Sequence, residues 1–260
     1  MTDFGDSDSY VGIMKGVILG IAPETKVIDI THHVSSFHIA SASYLLWTYH
    51  DRFPPGTVHC VVVDPGVGGE RAAMAVKFAN RFFVLPDNGL MGMTLAGHDS
   101  EFEARKIEND EFMLHPVSDT FHGRDIFAPT AAALASGASF DTVGPILDEI
   151  DRPASSASES SGNIVTGSIV HIDKFGNYIT NIPRDMTDAF SSETIFVQIG
   201  GFNIIGMSRT FSDGKTGDLA AYTGSGGLLE ICMVKGSASE TIGVPIGSEV
   251  VVKGRVATER

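Results

Sequence analysis

Two rhythms of apolar and polar positions divide the chain. In the first half, Val11, Ile13, Met14, Val17 and Ile18 recur at helical spacing, and residues 38–51 repeat that pattern, so two helices are predicted there. Between them, the apolar-rich stretch 26–30 predicts a strand. Pro54, Pro55 and Gly56 close the second helix, and Cys60-Val61-Val62-Val63 follows as a short β-branched run without alternation, the pattern of a central strand covered on both faces. Two further strands are predicted at 72–78 and 81–85, then an alanine-rich helix over 128–136 with Gly137 as its stop. Helices alternating with strands predict an α/β domain with a parallel-rich sheet over residues 1–150. The second rhythm begins after a polar, Ser-rich stretch at 151–163, which reads as a flexible linker. Short β patterns at 164–172, 178–182, 194–199, 202–207, 219–222, 228–234 and 249–252, divided by Gly, Ser and Asn, predict a smaller all-β, barrel-like domain over 164–260.

Charge and composition narrow the partners. With 18 basic against 32 acidic residues and a net charge of −14, the chain is a poor match for a phosphate backbone and a good one for a cationic small molecule. The two cysteines, Cys60 and Cys232, both lie in apolar runs, so a reducing cytoplasm is expected rather than a disulfide framework. No apolar run reaches membrane-spanning length and no charged-then-apolar leader opens the sequence, so no membrane partner is expected. Met1-Thr2-Asp3-Phe4-Gly5 reads as the end of a strand and its turn, with part of that strand missing.

Candidate chemistry collects at the ends of these elements. Asp64 stands at the carboxyl end of the valine run, where ligands gather in open α/β sheets. Asp64-Pro65-Gly66 is also ordinary turn chemistry, and no phosphate-loop lysine follows the glycines. Asp6, Ser7 and Asp8 precede the first helix, where capping alone accounts for Asp8; Asp3 lies outside that turn. Adjacent His32 and His33 point to opposite faces of an extended segment, which favours a structural role over one metal site. His122 and Asp125 stand at the entrance to the alanine-rich helix. Asp173-Lys174-Phe175-Gly176-Asn177 joins two predicted strands, and a phenylalanine in such a turn suits a flat base such as adenine.

Taken together, Thr2-Asp3-Phe4-Gly5 with Asp8, Val63-Asp64-Pro65-Gly66-Val67-Gly68 with Arg71, Pro86-Asp87-Asn88-Gly89, Phe121-His122-Gly123-Arg124-Asp125 and Ile172-Asp173-Lys174-Phe175-Gly176-Asn177 resemble the S-adenosyl-L-methionine hydroxide adenosyltransferases, relatives of fluorinase and chlorinase. The resemblance runs through both predicted domains in order. It implies a hydrolase in which water or hydroxide attacks C5′ of S-adenosyl-L-methionine and releases adenosine and L-methionine, with no cofactor and no metal. The family's catalytic set maps onto Asp64, Arg71 and His122. Its ribose-holding aspartate maps onto Asp3, its methionine-amino and adenine contacts onto Asp173 and Asn177, and Phe175 and Ser225 lie nearby. Asp8 and Asn88 fall in matching motifs, and Phe37 takes the place of an aromatic that packs near the ribose. The resemblance further implies a homotrimer with sites at subunit interfaces.

Some positions depart from the family pattern. Gly123 stands where halogenating relatives place a serine hydroxyl near the halide, which argues against halide use. The usual Asn-Ser reads Gly224-Ser225, and the asparagine expected near Val234 is absent. The competing readings are a chlorinase-like halogenase, a non-catalytic adenosine-binding module, which would not need Asp64, Arg71 and His122 together, and a metal-dependent phosphohydrolase, which would use Asp3, Asp8 and histidines as ligands.

Overall fold

The computed structural model describes residues 1–98, 101–152, 157–188, 190–191, 194–211 and 213–254. Within it the chain divides into two compact units, Met1–Pro153 and Ala154–Arg260.

The first unit is built on a four-stranded sheet of β1 (Val58–Cys60), β2 (Ala73–Phe78), β3 (Arg81–Pro86) and β4 (Phe102–Lys106), in the order β1-β3-β2-β4. Alternation of side chains across the sheet assigns its two faces. Val61, Val63, Met74, Val76, Phe83 and Leu85 pack with Ala42 and Leu46 of α2 (Ile39–Tyr49). Val62, Ala75 and Val84 pack on the other side with Met14 of α1 (Tyr10–Ile21) and with Ala128 and Ala131 of α3 (Ala128–Ala135). The valine run is thus buried on both faces, as its lack of alternation predicts.

The parallel-rich sheet is corrected: β1 and β3 are parallel, but β2 is antiparallel to both β3 and β4. The cause is local. Ala79 and Asn80 form a two-residue connection with φ of 47° and 58°, the geometry of a tight hairpin, and so short a link cannot make the crossover that parallel strands need. The strand predicted at 26–30 is also absent. Its apolar pattern meets no partner ladder among the described residues, Val27 and Ile28 are exposed, and Asp29 instead pairs with Lys15 of α1 at 2.6 Å. Capping of α1 by the preceding acids is likewise not found. Its N-cap is Ser9, without a side-chain bond, while Asp6 reaches His33 at 3.3 Å.

The second unit is an eight-stranded antiparallel sheet. In chain order it comprises β5 (Glu159–Ser161), β6 (Ile164–Ile172), β7 (Tyr178–Pro183), β8 (Phe196–Ile199), β9 (Phe202–Ile205), β10 (Leu219–Thr223), β11 (Leu228–Met233) and β12 (Glu249–Lys253). The order β10-β11-β7-β6-β12-β8-β9 brings β9 beside β10, so the sheet is nearly closed. Its interior is filled by Val165, Ile169, Tyr178, Ile182, Val197 and Ile231, among others. Buried Tyr178 donates its hydroxyl to the Val244 carbonyl at 3.1 Å, which satisfies the one polar atom of that ring. Within the stretch expected to be a flexible linker, Glu159–Ser161 forms β5 and pairs with β6. Its residues 153–156 lie outside the described residues.

Candidate active site

The valine run brings the chain to Asp64 through two backbone bonds beyond β1: the Val61 N–H to the Val84 carbonyl at 3.0 Å and the Val62 N–H to the Met1 carbonyl at 2.9 Å. The loop that follows doubles back so that Arg71 faces Asp64. Gly68, with φ of 76°, makes this possible: a Cβ there would lie 2.4 Å from the Asp119 carbonyl oxygen, so only glycine lets this loop approach the segment that carries His122.

Arg71 joins the other two predicted catalytic residues, Asp64 and His122. Its Nε donates to Asp64 Oδ1 at 2.9 Å, one terminal nitrogen donates to Asp64 Oδ2 at 2.5 Å, and the same nitrogen meets His122 Nδ1 at 2.6 Å. The Asp64 and Arg71 side chains are only 4% and 11% exposed, so the fork is shielded from bulk solvent. The guanidinium also lies over the Phe127 ring, 5.5 Å from its centroid. Because arginine stays protonated, Nδ1 of His122 must be the acceptor, and the proton of the neutral ring sits on Nε2. Burial and then the Arg71 charge hold His122 below the usual imidazole pKa, which agrees with the neutral ring. His122 precedes a single π-helical turn, Gly123–Phe127, that leads into α3. In that turn Asp125 is buried and accepts from the Ser118 N–H at 2.9 Å and from Arg124.

Of the predicted substrate residues in this unit, Asn88 adjoins the Asp64 loop, and Asp3 precedes Phe4, whose ring packs on Phe121 next to His122. Asp3 accepts the Phe37 N–H at 3.0 Å, and Phe37 is held at φ 67° and is 71% exposed. A bulky residue in that backbone region is strained, and strain of this kind clusters at ligand sites. Asn88 donates to the Val63 carbonyl at 3.0 Å, next to Asp64. Asp8 is exposed ahead of α1. Among the described residues, no group of three or more His, Cys, Asp or Glu is placed to hold a metal ion.

The second unit carries a groove of about 950 Å³ lined by Asp173, Phe175, Asn177, Phe211 and Tyr222, among others. Asp173 organises one wall. Its Oδ1 accepts the N–H groups of Phe175 and Asn177 at 2.8 and 2.9 Å, and its Oδ2 accepts Asn177 Nδ2 at 2.8 Å. Gly176 (φ 80°) closes the turn, and Phe175 is left 68% exposed with Lys174 beside its ring. Ser225 is exposed in the turn between β10 and β11 and is not among the groove's lining residues.

Residues 1–144 match the model of the SAM hydroxide adenosyltransferase N-terminal domain, and residues 167–251 match that of its C-terminal domain. The chain belongs to the SAM hydroxide adenosyltransferase family. A protein of Thermus thermophilus named (R)-S-adenosyl-L-methionine hydrolase is 35% identical over 260 residues, covering 96% of each chain. One of the same name from Methanocaldococcus jannaschii is 33% identical, over 96% of this chain and 92% of its own. A fluorinase of Nocardia brasiliensis is more distant, at 25% identity over 97% of this chain and 95% of its own. Among solved structures, an uncharacterized conserved protein from Thermotoga maritima superposes with a TM-score of 0.87 at 37% identity, covering 97% of this chain and 98% of that one.

Within this family's second domain, two features of the groove escape a reading of the sequence. Phe211 lies in a polar loop, where an isolated aromatic is the same signal that marked Phe175. Tyr222 donates its hydroxyl to Glu230 Oε2 at 2.5 Å, and the signal for that pair is one carboxylate inside an otherwise apolar strand, β11.

Proposed function

We propose that the protein hydrolyses S-adenosyl-L-methionine, with water attacking C5′ to give adenosine and L-methionine. The observation that carries this reading is the Arg71 fork, which holds both Asp64 oxygens and His122 Nδ1 at once. Sulfonium leaves as a neutral thioether, so no general acid is needed and the demand falls on the nucleophile. Each Asp64 oxygen keeps a lone pair beyond its bond to Arg71, so the carboxylate accepts a hydrogen of the water and takes its proton. His122 Nε2–H donates to the water oxygen and orients it, while the Arg71 charge favours hydroxide character. The oxygen then bonds to C5′, and the C5′–S electron pair passes to sulfur. His122 is therefore the orienting donor rather than the base. Asp3 and Phe37 hold the ribose end, and Asp173, Asn177 and the exposed Phe175 and Phe211 rings serve the amino-acid and adenine ends.

A halogenase reading has less support. A Cβ at Gly123 would lie 3.2–3.4 Å from Met14, Phe121 and Phe4, so the serine hydroxyl of the halogenating relatives has little room here. Incubation with S-adenosyl-L-methionine and chromatography of the products tests the reading. Equal adenosine and methionine are expected, unaffected by chelator or chloride. Methylthioadenosine or S-adenosylhomocysteine in their place, or a chloro-deoxyadenosine in comparable yield, refutes it.

The enzyme is further taken to be a homotrimer working in the cytoplasm. The water-activating cluster lies in one unit and the aromatic groove in the other, and sharing between subunits around a closed ring would complete each site. Both cysteines are free, which suits a reducing compartment. Mixing Asp64→Ala with Asn177→Ala subunits after dissociation should restore part of the activity. Confirmed mixed oligomers that remain inactive would exclude shared sites.

A further inference from the structure

β10 and β11 place Tyr222 directly opposite Glu230, and the Tyr222 hydroxyl donates to Glu230 Oε2 at 2.5 Å. A carboxylate accepts only, so the single phenol hydrogen is spent on it, and Tyr222 offers the groove only lone pairs. At Asn177 the amide nitrogen spends one of its two hydrogens on Asp173 Oδ2 at 2.8 Å, which leaves one N–H and Oδ1 for a ligand. Asp173 and Tyr222 thus present only acceptors to the groove, while half-buried Asn177 presents one donor and one acceptor. Thr216 and Lys235 also line the groove, but they are exposed, whereas Tyr222 is buried, where an unmatched polar contact costs most. Glu230 has its place because residue 224 is glycine: a Cβ there would lie 1.8 Å from Glu230 Oε1.

We propose that Tyr222 and Glu230 form an acceptor-only specificity element that makes this groove choose a 6-aminopurine nucleoside over a 6-oxopurine one. Tyr222 meets the ligand's amino group, and Glu230 is the positioning residue that keeps the phenol hydrogen out of the groove. An amino group presents N–H donors to these acceptors, whereas an oxo group presents a second acceptor and leaves both sides unpaired. The element rests on the adenosyl reading above. Tyr222, Asp173 and Cys232 are the titratable groups that face Glu230. Burial and the Asp173 charge raise the Glu230 pKa. Protonated, Glu230 becomes a donor to the Tyr222 oxygen, the phenol hydrogen is released into the groove, and the preference for the amino group falls.

The test is calorimetric titration of the full chain with adenosine and with inosine. Wild type should prefer adenosine. In Glu230→Gln the new amide donates to Tyr222 and turns its hydroxyl toward the ligand, so the adenosine-to-inosine ratio should fall about tenfold. Gly224→Ala, which displaces the carboxylate without altering either partner, should do the same. Tyr222→Phe should weaken adenosine and spare inosine. Acidification should narrow the wild-type ratio and leave that of Glu230→Gln flat, a response that a merely structural role for Glu230 would not produce. A ratio unchanged within about twofold in all three variants, each with wild-type Tm, overturns the proposal alone. If the wild-type protein binds neither nucleoside, the adenosyl reading fails and this one with it.

Discussion

Replacing Arg71 with lysine keeps the charge and removes the fork. A lysine ammonium on its flexible stem can hold one Asp64 oxygen, but it cannot span both oxygens and His122 Nδ1, so two of the three contacts at 2.9, 2.5 and 2.6 Å are lost. Charge-assisted bonds are worth roughly 1.5–3 kcal/mol each, and removing one partner of a buried pair outright costs about 3–5 kcal/mol. Because the charge stays and water can enter, a stability loss of about 2–3 kcal/mol is expected, read as a shift in the urea midpoint. The catalytic effect should be larger than this loss alone implies. In the proposed mechanism Asp64 holds the water in line with C5′, and a misplacement of about 1 Å costs on the order of 10²-fold in rate. Under steady-state assay of adenosine release, kcat should therefore drop about 10²-fold while KM, set by the residues assigned to ribose, adenine and methionine, changes little. In Arg71→Met, NMR titration should find His122 at a higher pKa, because the guanidinium that disfavours the imidazolium is gone. Arg71→Lys turnover within about threefold of wild type, or an unmoved His122, would refute the assignment of Arg71 as the group that positions Asp64.

Two further predictions concern stability. His59 is buried among Tyr49, Phe53 and Phe83, its Nε2 has no hydrogen-bond partner among the described residues, and burial lowers its pKa from 6.5 to about 4. The unfolded chain binds this proton first, so the stability present above pH 6.5 should fall as pH drops toward 4, by up to about 3 kcal/mol, and denaturant titrations of His59→Phe should lack that slope. Gly176→Ala places a Cβ 2.1 Å from Ser237 Oγ at a φ of 80°, so it should cost about 2–3 kcal/mol and disturb the Asp173–Asn177 turn. A wild-type Tm together with unaltered adenosine binding would contradict this.

What the sequence by itself determined is what short-range physics controls. The helices α2 and α3, the strands β6 and β7, and the burial of Val61–Val63 on both faces follow from spacing and turn residues within a few positions of one another. The ordered motifs around Asp3, Asp64, Asn88, His122 and Asp173 likewise pointed to the family that the comparisons establish. Residues 26–30 mark the limit of that reading. Their apolar pattern is that of a strand, yet a strand exists only when another backbone pairs with it, and here Asp29 turns to Lys15 instead. The direction of β2 was legible in its two-residue link to β3, but strand–helix alternation pointed the other way, and the link prevailed because it cannot reach across the sheet.

Only the tertiary structure decided the chemical detail of the site. Arg71 and His122 are 51 residues apart, so nothing local reveals that the guanidinium occupies Nδ1 and thereby makes Nε2 the donor. The aromatic cage around His59 and the pairing of Tyr222 with Glu230 are equally invisible in a linear pattern. Residue types can be read from the chain, but protonation state and hydrogen-bond direction depend on which partners packing brings within about 3 Å.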